Sequence, residues 1–366
     1  MYSKNGSDDA DNINLRKPGR VFFHRRSLLW VIAAISVLVL DRILPQVFVD
    51  KWYYQCVFGY IRRGYDLLFG WLPIPMIYLI ALIVAVRIVK WSNDWKKGFL
   101  FLLSRALGGI ALLVACFYLF WALNYRQITL QERLGLQLDD VTQADVEAEF
   151  LRATEVLTSE ANALSDHYTS DEAIANLHIT DNDLRPDVER ALATLGVPNG
   201  GNVRVRQLWP KGLLMRWSTA GIYIPHAFEG HIDPGMLSIQ KPFTIAHEMA
   251  HGYGITDEGA CNFVAWLACV QSRDQWIRFG GALTYWRYVA AEIPDEEVRG
   301  VINTFPPVVT RALVLIREND KKYPDILPQI RDAIYSSYLK QHGVKGGLRS
   351  YNYVVKMVSL YLNKRY

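Results

Sequence analysis

The sequence predicts an α+β protein in two unlike parts. Three amino-terminal transmembrane helices come first, then a domain with a small antiparallel sheet and a helix bearing two histidines one turn apart. Three observations predict this. Apolar stretches crowd into the first third of the chain, charge returns from Gln127 onward, and short β-prone pieces lead directly into PFTIAHEMAHGYG. Of the 366 residues, 51% are apolar and 21% charged, which excludes a disordered or collagenous chain. A net charge of +4 leaves no electrostatic footprint for nucleic acid, and no nucleic-acid partner is expected. The four cysteines, Cys56, Cys116, Cys261 and Cys269, form no CxxC pair, so neither a disulfide framework nor a Cys-only zinc site is expected.

The opening residues 1–27, with NGSDDADNIN, read as a cytoplasmic tail. A helix needs about 20 apolar residues to cross a bilayer, and three stretches reach that length: 28–49, 67–86 and 99–123. The first is interrupted by Asp41, Arg42 and Pro45, the second begins in WLPIP, and the third ends in the aromatic and basic anchor FWALNYR. Basic residues cluster before the first stretch (Arg16, Lys17, Arg20, Arg25, Arg26) and between the second and third (Arg87, Lys90, Lys96, Lys97). Such flanks stay on the cytoplasmic side. The expectation is therefore a multi-pass protein of the cell (inner) membrane, with a three-span region at 28–126 in the lipid bilayer. Residues 127–366 would form an extracytoplasmic, periplasmic domain.

Within that domain the apolar spacing predicts helices over 145–163 and 185–195. VRVRQLW (203–209), LLMRW (213–217) and GIYIP (221–225) read as strands separated by Pro, Gly and Ser-Thr turns. Pro242 then suits a first helical turn and Gly252 or Gly254 its end.

That last helix holds His247, Glu248 and His251, an HExxH pattern. Four residues at about 100° each leave the two histidines about 40° apart on the helix, so both imidazoles reach one metal ion. Glu248, one step round, stands beside the ion, where a carboxylate can take a proton from water and return it to a leaving group. A tetrahedral catalytic zinc wants a third protein ligand. Glu258 and Asp257 compete for that place. Glu258 is preferred because EGACNF starts a second helix facing the first, whereas Asp257 suits a helix N-cap. Asn262, one turn beyond Glu258, can then hold a ligating histidine in its tautomer. Weaker candidates are Glu229 and His226 near the mouth of the cleft, and Tyr351 or Arg349 in GGLRSYNYVV as a donor to a developing oxyanion. GIYIPHAFEGHID is expected to offer an edge strand to an extended substrate, and His231 is expected in a loop.

FWALNYR, GIYIP, PFTIAHEMAHGYGI with the following EGACNF, and YLKQHGVKGGLRSYNYVV carry a resemblance that spans nearly the whole chain. The sequence resembles an uncharacterised family of bacterial membrane proteins, domain of unknown function 3810, with a zincin-like, gluzincin-type HExxH domain. The family pattern has a further Glu where this chain has Ala260, which leaves Glu258 the only carboxylate in the run. The resemblance implies a zincin-like metallopeptidase domain; with the residue reading, Zn2+ is expected on His247, His251 and Glu258, with Glu248 as the catalytic base and Tyr351 preferred as the oxyanion donor. The expected function is a membrane-anchored zinc-dependent hydrolase that cleaves a peptide or envelope protein substrate on the extracytoplasmic side. The alternative is a catalytically inert zinc-binding sensor or scaffold of the cell envelope. An intramembrane protease is disfavoured, because the motif lies far along the chain from the apolar stretches.

Overall fold

Proline decides the architecture of the amino-terminal third. In the computed structural model, which describes residues 25–92, 97–326 and 351–365, α1 (Arg25–Ile43) stops just before Pro45. Proline has no N–H to donate to the preceding turn. Arg126 takes over the freed carbonyls, bonding to Asp41 O and, at 2.9 Å, to Leu44 O. The next helix, α2 (Gln46–Phe69), departs at 111° to α1. A turn over 70–75, with Pro73 and Pro75, separates it from α3 (Met76–Ser92).

The expectation of three spans is corrected by these two breaks. Stretch 67–86 is divided by the proline turn, and the 17 residues of α3 reach about 26 Å, short of the roughly 30 Å hydrocarbon core. Stretch 28–49 is broken at Pro45. Among the described residues one helix, α4 (Phe99–Phe120), is long and apolar enough to cross a membrane, or two if the bent α1–α2 pair is one span. Helices α1 and α4 pack through small residues. A Cβ at Gly108 would come within 2.6 Å of Ser27, and Ala34 and Val37 cluster with Ala111 and Ala115. The tail expected over 1–27 lies almost wholly outside the described residues.

Beyond α4 the chain is mainly helical. Capping boxes start α5 (Gln143–Asn162), through Thr142 and Asp145, and α6 (Asp181–Thr194), through Thr180 and Asp183. Between α6 and the histidine helix lie β1 (Arg204–Gln207), β2 (Gly221–Ile224) and β3 (Glu229–Ile232), in the order β1-β3-β2. The sheet is mixed rather than antiparallel as expected, since β1 runs parallel to β3 and β2 antiparallel to it. LLMRW forms a turn and a short 3-10 helix (Met215–Trp217) instead of a strand. The buried Asp233 carboxylate accepts the N–H groups of Gly212, Leu214 and Met215 at 2.7, 2.7 and 3.2 Å, an alternative to ladder pairing. The third strand comes from the segment after GIYIP.

Helix α7 (Lys241–Gly252) lies between the sheet and α8 (Glu258–Val270). Then follow α9 (Gln275–Ala290), α10 (Asp295–Ile302), α11 (Pro307–Lys321) and α12 (Tyr351–Arg365). Trp276, Trp286, Phe263 and Phe279 are fully buried and fill the core of these helices. The domain grips the amino-terminal helices by charge. Arg62 of α2, fully buried, bonds Asp66 at 2.6 Å, Asn202 O at 3.3 Å, and Phe228 O. Glu229 accepts from Met76 N at the start of α3 (2.8 Å) while pairing with Arg206 (3.1 Å) and Arg204 (3.4 Å).

Candidate metal centre

Helix α7 forms where the spacing predicts. Pro242 sits in its first turn, and Phe243, Ile245, Ala246, Met249 and Ala250 are buried. The chain then turns through Gly254 at φ +93°, a conformation that favours glycine. Side chains of Tyr54 and Phe58 also approach Gly254 within 3 Å of where a Cβ would lie. Asp257 caps α8, accepting from Ala260 N at 2.7 Å, so Glu258 occupies the first turn and faces the histidines.

His247, His251 and Glu258 converge, each offering a ligand atom within 4.8 Å of the others. Glu258 Oε2 stands 3.1 Å from His247 Nε2 and 3.6 Å from His251 Nε2. Donors about 2.0–2.1 Å from a tetrahedral ion stand roughly 3.3–3.4 Å from one another, so the spacing fits a zinc-sized cation. The outer contacts fix the tautomers. His247 Nδ1 donates to Asn262 Oδ1 at 2.8 Å and His251 Nδ1 to Ile255 O at 2.9 Å, which leaves both Nε2 lone pairs aimed inward. Burial works against a charged Glu258, but His247 and His251 in their imidazolium forms outweigh it and hold the carboxyl well below its usual range. Cys261 Sγ lies 3.3 Å from His251 Nδ1, behind the ring, and burial pushes its thiol up to about 12. It is a neutral neighbour of the cluster rather than a thiolate.

Glu248 is buried, and burial raises its carboxyl to about 7 against the opposing pull of His247 and His251. Its Oε2 has no hydrogen-bond partner. Gly221 of β2 and Gly230 of β3 make room for it: a Cβ at Gly221 would fall 2.4 Å from Glu248 Oε1, and one at Gly230 would fall 2.7 Å from Glu248 Cβ. An unpaired buried carboxylate oxygen beside three converging donors is what a proton acceptor for bound water requires.

The weaker candidates separate. Glu229 is buried in its arginine pairs and accepts from the first turn of α3, a structural set of contacts. His226 Nε2 hydrogen-bonds Leu113 O of α4 at 3.1 Å. His231, expected in a loop, is fully buried on β3, where burial pushes it down to about 4. Tyr351 begins α12 but its side chain lies outside the described residues, as does Arg349. Sequence reading missed the wall behind His251. Trp121, just after α4, and Tyr223 of β2 each stand 6.3 Å from the His251 ring and 4.8 Å from each other. The signal was the aromatic run FWALNY, read only as a membrane anchor.

These features define a mixed, mostly helical α+β protein whose HExxH helix and following helix assemble a three-residue cluster able to hold a metal ion. The family described as protein of unknown function (DUF3810) matches residues 53–359, and the chain belongs to that family. Comparison with curated proteins and with solved structures returned no match.

Proposed function

We propose that this protein is a membrane-anchored, zinc-dependent hydrolase, a metallopeptidase that cleaves peptide bonds on the extracytoplasmic side. One observation carries the reading: two inward-facing Nε2 atoms and a carboxylate share one point, beside a buried carboxylate with an unpaired oxygen. His247, His251 and Glu258 would hold the ion, which supplies Lewis acidity towards a carbonyl and towards water. Glu248 accepts the water proton and returns it to the leaving amine. Asn262 and Ile255 O keep the imidazoles turned inward, so that no ring must reorient during the reaction. The span-length helix supports the membrane anchoring in this reading, and the basic flanks support an amino terminus inside.

The test pairs metal content with turnover. Purified wild type should carry about one zinc per chain, and Glu248→Gln should retain it while peptide hydrolysis falls by roughly 10²–10⁴-fold. Wild-type turnover in the Gln variant would remove Glu248 from the mechanism. Zinc without turnover in the wild type would support an inert sensor instead.

A further inference from the structure

Two independent observations put the candidate centre at the level where a bilayer would end. The first is the two-faced α2. Asp50, Tyr54, Phe58 and Arg62, spaced by four, are buried against the domain, and Tyr54 and Phe58 reach Gly254 beside the histidine helix. On the other side Phe48, Trp52, Tyr60 and Leu67 are exposed, Leu67 at 82%, and Trp71 in the turn that follows is exposed at 74%. A helix with an apolar outer stripe, set nearly perpendicular to an apolar helix before it, has the form of one lying in the membrane surface.

The second is the depth of the β2–β3 turn. The 22 residues of α4 measure about 33 Å, so its ends match the two faces of a hydrocarbon core of about 30 Å. Leu113, whose carbonyl meets His226, is seven residues before Phe120, about 10 Å along the axis. Phe117 stacks on His226 at 6.0 Å, and Phe120 meets Phe228 at 5.7 Å. The turn therefore reaches below the end of α4, and Trp121, which marks that end, touches the ring pair of Tyr223 and His251. From Tyr223 to Gly221, beside Glu248, is two strand residues, about 7 Å.

We propose that the substrate is a membrane-anchored polypeptide, cut in its juxtamembrane stretch within about five residues of the bilayer. It would be presented as an extended segment along the outer edge of β2, which no other strand of the described sheet pairs. A chain rooted in the membrane meets this edge already confined to the right depth, whereas a free peptide must find it from bulk solution. This assignment rests on the hydrolase reading and on α4 crossing the membrane.

The experiment has two arms on full-length protein in phosphatidylcholine–phosphatidylglycerol vesicles. In the first, with Cys116→Ala throughout and Cys56→Ala where another site is labelled, nitroxides are placed singly at Cys56, exposed on α2, at Ile222→Cys on β2, and at Glu296→Cys as an aqueous control. The first two should be relaxed more by oxygen than by a nickel chelate, and the control the reverse. Labels at Cys56 and Ile222→Cys that behave like the control overturn the proposal, whatever the hydrolase does, and leave the outer face of α2 to a soluble partner. In the second arm, a pool of mixed-sequence stalks is offered on a single-pass anchor and again as free peptides. Glu248-dependent cuts should be about 10²-fold faster in the anchored pool, the gain expected from surface confinement, and should cluster next to the anchor. Equal rates, or cuts spread along the stalk, overturn the proposal while the hydrolase reading stands. No Glu248-dependent cut in either pool, with labels at the interface, sinks the hydrolase reading and the substrate assignment with it.

Discussion

Asp257 and Glu258 are adjacent carboxylates given different work by one helix boundary. The first is spent on Ala260 N, and the second points at both imidazoles. Asp257→Ala should therefore cost about 1 kcal/mol of stability, as lost N-caps do, and keep the metal. Glu258→Ala should lose zinc at neutral pH, with both variants compared by metal analysis after dialysis. Glu258 was legible in the sequence because the ligand pattern and the capping signal overlap by one residue and the cap claims the earlier one. His231 was not legible, since its burial depends on β1 and β2 flanking β3, which no local pattern announces. Its folded state holds the ring near 4 instead of the ordinary 6.5, because burial, with the Arg206 charge nearby, disfavours the cation more than the backbone of Ile222 and Glu229 favours it. Between those values the unfolded chain binds a proton that the native one does not. Stability is thus complete above pH 6.5 and falls as the pH drops towards 4, by about 3 kcal/mol in total. Thermal melts from pH 7.5 to 4 should show this slope in the wild type and a shallower one in His231→Gln.

At the scale of elements, the helices of the site and two of the three strands were readable, and the third strand and the pairing of the sheet were not. α7 and α8 announce themselves through Pro242, the apolar spacing and the Asp257 cap, all local signals. The strands have four residues each, and their pairing depends on Asp233, which draws the LLMRW segment into turns, and on the reversal at Phe228, at φ 47°. The sheet matters to the site through its missing side chains. Gly221 faces Glu248 so closely that an added methyl would sit 2.4 Å from the carboxylate oxygen. Glu248 Cδ and Cγ would lie 2.9 Å away as well, so the whole flexible side chain must swing aside. Gly221→Ala should therefore leave the melting temperature and zinc content near wild type but lower turnover by on the order of 10²-fold, the cost of a misplacement of about 1 Å. A loss of zinc or of fold in that variant would show that Gly221 serves packing and not the placement of Glu248.

At the scale of the molecule, hydropathy changes at residue 127 but packing does not. The apolar stretches of the first third are visible in the sequence, while their breaks at Pro45 and 70–75 decide which of them reach span length. Nothing in the sequence tells that α2 folds back onto the domain, because its Tyr54, Phe58 and Arg62 look like ordinary helix content until their partners are known. The family match begins at residue 53, inside α2, so the shared unit includes the helices before residue 127. The contacts explain why. Gln127 Nε2 holds Gly254 O at 2.7 Å, Trp121 backs His251, and Arg62 ties Phe228 O and Asn202 O. A fragment of residues 127–366 would lose the last two supports and expose the apolar surface around Phe228, Tyr223 and Gly254. Large exposed apolar patches drive association, and a metal-facing histidine without its wall loses orientation. The fragment should therefore aggregate or resist proteases poorly, and should release zinc to a chelator at least about tenfold faster than the full chain in detergent, since the loss of an outer contact typically costs 10–100-fold in metal affinity. Limited trypsin digestion and chelator-exchange kinetics measure both effects. A soluble, protease-resistant fragment that keeps zinc as tightly as the full chain would mean that the amino-terminal helices serve only as an anchor and take no part in building the site.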